Sequence, residues 1–110
     1  MPYIKPKHRD RLNDSINKLA QNIVDISKEE GSEGAFAGLL NYSCTRLVLL
    51  IIKLRFGHTR YWLVATVRGV LEDVSTEFYR RLAAPYEDKQ VEKNGDVDLY
   101  QEFLKDIQGQ

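Results

Sequence analysis

Apolar residues in the first third of the chain recur at helical spacing. Five of them are separated by alternating steps of four and three residues: Leu12, Ile16, Leu19, Ile23 and Ile26. This spacing predicts a helix with a narrow apolar stripe, closer to a coiled-coil seam than to a broad core face. Pro6 is suited to the first turn of such a helix, and Gly31 interrupts the pattern. We therefore predict a first helix that follows Pro6 and ends near Glu30.

The middle of the chain is apolar on nearly every side of a helix. Residues 39–56 include the uninterrupted apolar run at 47–52, and the helix is expected to begin at Asn41 or Ser43, or earlier, near Ala35. A strand over 47–54 is the alternative, but nothing else in the chain offers it a partner. A helix that is apolar all round must be covered all round, which so small a domain cannot easily do alone. We therefore predict a homo-oligomer through helix two, with Leu47, Leu50, Ile51 and Leu54 in the contact.

The pattern in the second half predicts a third long helix, a turn and a short last helix. A turn is expected at residues 57–60, beginning with Gly57. The third helix is expected over residues 60–83, with Leu63 and Phe78 on one apolar stripe and Gly69 at a close helix crossing. Pro85 should stop or kink it, because proline lacks a backbone donor and restricts the residue before it. A short helix is expected over 86–93, a turn at residues 94–95, and a last amphipathic helix capped by Asp96 or Asp98.

These elements predict an all-α fold, a small bundle of three long helices plus a short C-terminal helix, in oligomeric form. The 110 residues suit one helical domain spanning 1–110, with 97–110 as a C-terminal extension. Sixteen basic and sixteen acidic residues cancel, so no partnership with duplex nucleic acid is expected. The longest apolar run is short for a membrane span, so we expect no membrane partner and a cytoplasmic location.

Motifs for catalysis and cofactor binding are missing from the sequence. There is no paired-histidine motif, no Cys-x-x-Cys, no phosphate-binding glycine loop and no serine nucleophile elbow. No cofactor, catalytic residue or metal site is therefore predicted. Cys44 is the one cysteine, and its apolar neighbours suggest a packed side chain rather than a nucleophile.

One polar cluster surrounds Pro85 and is the best candidate for ligand binding. Arginine forks grip phosphate or carboxylate, and tyrosine stacks or donates its hydroxyl. In this hypothesis Arg80 and Arg81 hold phosphate, Tyr79 or Tyr86 contacts the rest of the ligand, and Glu77 orients the guanidinium groups. Arg46, on helix two, adds positive charge if an oligomer brings the helix ends together. The alternative is a solvated helix surface with exposed ion pairs of about 0.3–0.5 kcal/mol each.

Several short motifs resemble a family of small uncharacterised proteins found in phage and bacterial genomes, a domain of unknown function. The most specific block runs from Glu-Phe-Tyr-Arg-Arg to Asn-Gly-Asp-Val, and the chain departs from the family pattern in an expanded 31–38 connection and beyond residue 97. The motifs that carry the resemblance are at residues 1–4, 38–42, 45–47, 69–72, 77–81, 84–88 and 94–97.

Three functions remain open at this point. The first is a non-catalytic homo-oligomer that captures a small anionic, nucleotide-like ligand. The phage association implied by the resemblance suggests that it counters a host defence, by binding a nucleotide signal or a host protein. The second is a protein-interaction module in which the charges only support the fold. The third is a metal-dependent nucleotide hydrolase that uses Asp73 and Glu77.

Overall fold

A computed structural model of the protein describes residues 2–110, and helices make up nearly all of them. None of these residues forms a strand, which confirms the all-α prediction. Helix α3, a π-helical turn and α4 follow one another without a break, so residues 2–110 contain four continuous helical segments. The elements are α1 Pro6–Glu30, α2 Ala35–Phe56, α3 Tyr61–Phe78, the π turn Tyr79–Ala83, α4 Ala84–Asn94 and α5 Asp98–Gly109. The bundle packing and the oligomeric state remain predictions.

Three glycines end three of the helices, as their positions in the sequence predicted. Gly31, Gly57 and Gly95 have φ values of 73°, 81° and 84°, a region that side chains with a Cβ rarely adopt. Each glycine N–H returns to a carbonyl of the helix that it ends, with the three acceptors on Lys28, Lys53 and Val91. These ends are therefore set by local backbone chemistry.

Helix α2 begins at Ala35, the earliest of the three predicted starts. Two of its polar side chains are satisfied within the helix. Ser43 Oγ donates to the Leu39 carbonyl and Thr45 Oγ1 to the Asn41 carbonyl, both at 2.8 Å. Such back-bonding lets hydroxyl side chains sit in a mainly apolar helix without a partner from elsewhere.

The π turn replaces the predicted last turns of the third helix. Ordinary α-helical bonding ends at Phe78, and the Ala84 N–H bonds to the Tyr79 carbonyl five residues earlier. Pro85 has no N–H to offer Arg81, and in a regular α-helix its ring collides with that carbonyl. Widening the backbone by one residue relieves the collision, so the chain continues into α4 where the sequence predicted a stop or a kink.

The chain divides into two compact units, residues 1–70 and residues 71–110. In the first unit α1 packs on α2, and the core is small. Leu63, with 4% of its surface exposed, is the single buried residue among residues 2–110. Near it in sequence, the Phe56 and Trp62 rings meet edge to face with centroids 5.5 Å apart. The prediction of a single domain spanning 1–110 is left open by this division.

Three local predictions were wrong within the described residues. A Cβ placed on Gly69 has no heavy atom within 4 Å, so no close helix crossing occurs there. Cys44 is exposed, because no other segment of residues 2–110 packs over its side of α2. Val97 occupies the N-cap of α5, and Asp96 and Asp98 flank it.

Most large apolar side chains remain on the surface of residues 2–110. No residue of α1, α2 or α5 is buried. By length and composition alone, α2 is the one helix among these residues that is long and apolar enough to cross a membrane.

Candidate functional site

The predicted polar cluster lies at the π turn, where Arg80 is engaged by Glu77. Arg80 Nε donates to Glu77 Oε1 at 2.7 Å, and Nη2 donates to Oε2 at 3.2 Å. The Arg80 side chain is 65% exposed and that of Glu77 is 21% exposed. This two-bond fork is the geometry with which arginine also grips phosphate. Glu77 therefore orients the guanidinium and at the same time occupies one of its edges.

Tyr79 and Glu87 form the second contact of the cluster. The Tyr79 hydroxyl donates to Glu87 Oε2 at 2.9 Å. In an uninterrupted α-helix, residues eight positions apart point roughly 80° away from each other, whereas one extra residue in a π turn reduces this to about 20°. The π turn thus places the two side chains on one face. The hydrogen bond and the charge of Glu87 raise the pKa of Tyr79, because both oppose a phenolate.

Arg81 and Tyr86 are the open members of the cluster. Neither side chain makes a hydrogen bond or an ion pair with any residue in 2–110, and Tyr86 is 72% exposed. The four residues Glu77, Tyr79, Arg80 and Arg81 are consecutive or nearly so on one helical segment, and Tyr86 follows on α4. One cation and one aromatic ring of the predicted site are therefore free to contact a ligand.

The remaining predicted site residue, Arg46, belongs to the first unit. It lies near the middle of α2 and lines a depression with Tyr42, Thr45, Leu49, Leu50 and Lys53. The depression combines two cations with an aromatic ring and two apolar side chains.

Carboxylates that would serve a hydrolase do not gather into a cation site in the described residues. No group of three or more His, Cys, Asp or Glu side chains in 2–110 is placed to hold a metal ion. The hydrolase hypothesis, which depends on Asp73 and Glu77, thus finds no third ligand there.

A row of apolar side chains on α2 is the most extensive candidate surface. Leu40, Leu47, Ile51 and Leu54 follow one another at spacings of seven, four and three, so they share one side of the helix. About half or more of each side chain is exposed, rising to 82% at Leu54. Leu50, also predicted in the contact, lies beside this row and is partly covered. We call the four exposed residues the α2 seam.

Comparison with known proteins identifies the family. The model of a family described as a domain of unknown function (DUF6899) matches residues 1–97. The chain belongs to this family. Helix α5 of this DUF6899 protein begins just after the matched residues. Neither a curated protein nor a solved structure matches the chain. The predicted kinship with an uncharacterised family is confirmed, and the phage and bacterial setting stays a prediction.

Two features of the site were not evident from the sequence. The Tyr79–Glu87 bond depends on the π turn, whose only signal is Pro85 within a helical pattern. The α2 seam was partly recognised in the predicted contact, but Leu40 was left out of that set. Its spacing of seven residues from Leu47 was the available signal.

Proposed function

We propose that this DUF6899 protein is a cytoplasmic, non-catalytic helical binding protein that acts as a homo-oligomer joined through the α2 seam. One observation carries the proposal: among residues 2–110 Leu63 alone is buried, while the seam and the apolar faces of the other helices are exposed. Hydrophobic burial is the main force that offsets the loss of chain entropy on folding. A chain with so little of it gains stability by association.

The spacing of the seam suits a second α2 helix. Leu40, Leu47 and Leu54 repeat every seven residues, the period with which two helices stay in contact along a left-handed supercoil. Burial of a leucine or isoleucine side chain contributes about 1.5–3 kcal/mol when complete. Four such residues from each chain, already half covered, contribute several kcal/mol to a dimer, enough to offset much of the entropy of association.

The composition of α2 favours burial against protein rather than insertion into lipid. The 22-residue helix is about 33 Å long, close to the thickness of the hydrocarbon layer. Arg46, however, is near its middle, where a charge costs about 2.5–3.5 kcal/mol on insertion scales. In a helical assembly Arg46 lies outside the seam and keeps its contact with water.

Light scattering on the purified full chain tests the proposal, with two matched variants. Leu47→Glu places a charge in the seam, and Leu49→Glu places the same charge on the opposite side of α2 at similar exposure. We expect the wild type and Leu49→Glu to be oligomeric and Leu47→Glu to dissociate. A monodisperse, folded wild-type monomer at micromolar concentration would contradict the proposal. Flotation of the wild type with lipid vesicles would point instead to the membrane.

Capture of a small anionic, nucleotide-like ligand is the second candidate function. It is supported by the π turn, a feature that often marks functional sites, and by the two open groups beside it, Arg81 and Tyr86. Arg80 can contact the ligand only if the ligand displaces Glu77 from the Arg80 guanidinium. A host protein at the same surface is the alternative partner in a counter-defence role.

Calorimetric titration with cyclic and linear nucleotides tests this second function. Arg81→Ala should abolish the heat of binding, and Glu77→Gln should strengthen binding, because it weakens the competing fork on Arg80. Arg68→Ala removes a cation elsewhere on α3 and serves as the control. If no nucleotide gives heat, or if all three variants behave as the wild type, the charges serve the fold alone.

A further inference from the structure

Helix α5 carries an uncovered apolar face that the proposed α2 contact leaves unused. Its five large apolar side chains are each more than half exposed: Leu99, Tyr100, Phe103, Leu104 and Ile107. They fall on one side of the helix, since their spacings are those of a single helical face. The helix also lies beyond the residues matched by the family.

Acidic residues border that face. Three acids and one base occur in α5, and Glu102 and Asp106, four residues apart, lie along the same edge of the apolar face. Neither makes an ion pair with any residue in 2–110. A matching surface would be an apolar stripe with a basic border.

The first half of α1 has these properties. Its stripe begins with Leu12, Ile16 and Leu19, all about half exposed. Arg11 and Lys18 lie along one edge of it, and residues 5–20 contain five basic and two acidic residues. Neither Arg11 nor Lys18 makes an ion pair within residues 2–110. The apolar stretches also agree in length, about 12 Å from Leu99 to Ile107 and about 10 Å from Leu12 to Leu19.

We propose that α5 of one copy packs antiparallel on the first half of α1 of a second copy. Viewed from each N-terminus, the acidic edge of α5 and the basic edge of α1 lie on the same side of their apolar stripes, so they meet only in an antiparallel pair. Phe103 then faces Ile16, Asp106 lies toward Arg11, and Glu102 lies toward Lys18. In a two-fold dimer each copy supplies both surfaces, so the contact forms twice. This inference rests on the proposed self-association through α2.

A charge swap in the full-length chain tests the charge pairing. Glu102→Lys with Asp106→Lys, or Arg11→Glu with Lys18→Glu, should weaken association by roughly tenfold, because two attractions in each of the two contacts become repulsions. All four changes together should restore it, and high salt should reduce the difference. Unchanged association in both pair variants, or no recovery in the combined variant, overturns the proposal. The α2 seam is intact in all of these charge variants. If association is lost in Leu47→Glu and unchanged in the charge variants, the result supports the seam and not the α5 contact.

Disulfide trapping tests the identity of the partner. In a Cys44→Ser background, one tagged chain carries Ile16→Cys and a differently tagged chain carries Phe103→Cys. Oxidation should link the two chains, whereas Lys105→Cys, on the opposite face of α5, should not link. A disulfide formed only within a chain that carries both cysteines would show that α5 covers its own α1, which overturns the proposal. Equal linking by Lys105→Cys would also overturn it.

Discussion

The Tyr79 hydroxyl lies 2.9 Å from Glu87 Oε2, so two residues eight positions apart are joined across the π turn. The bond links the first residue of the π turn to α4. An α-helix without the π turn would not allow this side-chain contact. Arg80 and Glu77, by comparison, are three residues apart and meet within an ordinary helical turn.

The Tyr79–Glu87 bond should be visible in the titration of Tyr79. Since the folded pKa of Tyr79 is raised, the bond stabilises the fold fully below pH about 10, and its contribution is lost as the pH rises through the raised pKa. Glu87→Gln should bring the pKa of Tyr79 down toward its ordinary value. The measurement is an NMR pH titration of the tyrosine ring carbons, assigned with Tyr79→Phe. A pKa that stays raised in Glu87→Gln would contradict the bond.

Replacing Pro85 should remove the π turn. Alanine at this position gains the N–H that bonds to Arg81 in a regular α-helix, and the substitution removes a helix cost of up to about 3 kcal/mol. We expect Pro85→Ala to raise the free energy of unfolding and to lower the pKa of Tyr79, because Glu87 rotates away. Hydrogen exchange at the new amide reports the bond directly. Pro6→Ala is the control, since Pro6 occupies the first turn of α1 where no N–H is needed.

Two glycine substitutions should have opposite effects on stability. Gly31→Ala forces a side chain into the left-handed region and should cost about 1–2 kcal/mol. Gly69→Ala has open space around the new methyl group and should stabilise α3 by about 1 kcal/mol. The free energies of unfolding of the two variants are compared by denaturant unfolding at equal protein concentration. Destabilisation by Gly69→Ala would mean that another copy packs closely at this position.

Substitutions at Leu63 and Leu54 should distinguish an effect on folding from an effect on association. Leu63→Ala leaves a cavity in the small core and should lower the free energy of unfolding by about 2 kcal/mol or more. Leu54→Ala, at 82% exposure, should leave the fold of one chain nearly unchanged and weaken the oligomer. Circular dichroism and sedimentation on the same samples distinguish the two effects. Equal loss of helicity in both variants would argue against the seam.

The thiol of Cys44 provides a probe of the seam in the wild-type protein. Cys44 is exposed and lies one turn before Leu47, at the edge of the seam. Its alkylation rate should fall several-fold as the protein concentration rises and the seam is covered. In Leu47→Glu the rate should stay constant. A constant rate in the wild type would place the contact elsewhere.

The sequence alone predicted the elements whose causes are local. Pro6 and Gly31 bound α1, Gly57 ends α2 and Gly95 ends α4, because φ restrictions and the loss of helical hydrogen bonding act within a few residues. The Glu77–Arg80 pair also follows from its spacing of three. These features need no knowledge of the distant parts of the chain.

Only the tertiary structure decided which residues are covered and how the helix passes Pro85. The periodicity placed Leu63 and Phe78 on one stripe, yet Leu63 is buried and Phe78 is exposed, because burial depends on what other segments bring to each position. A proline in a helical pattern allows a stop, a kink or a π turn, and local sequence does not choose among them. The backbone geometry selected the π turn, and with it the contact between Tyr79 and Glu87.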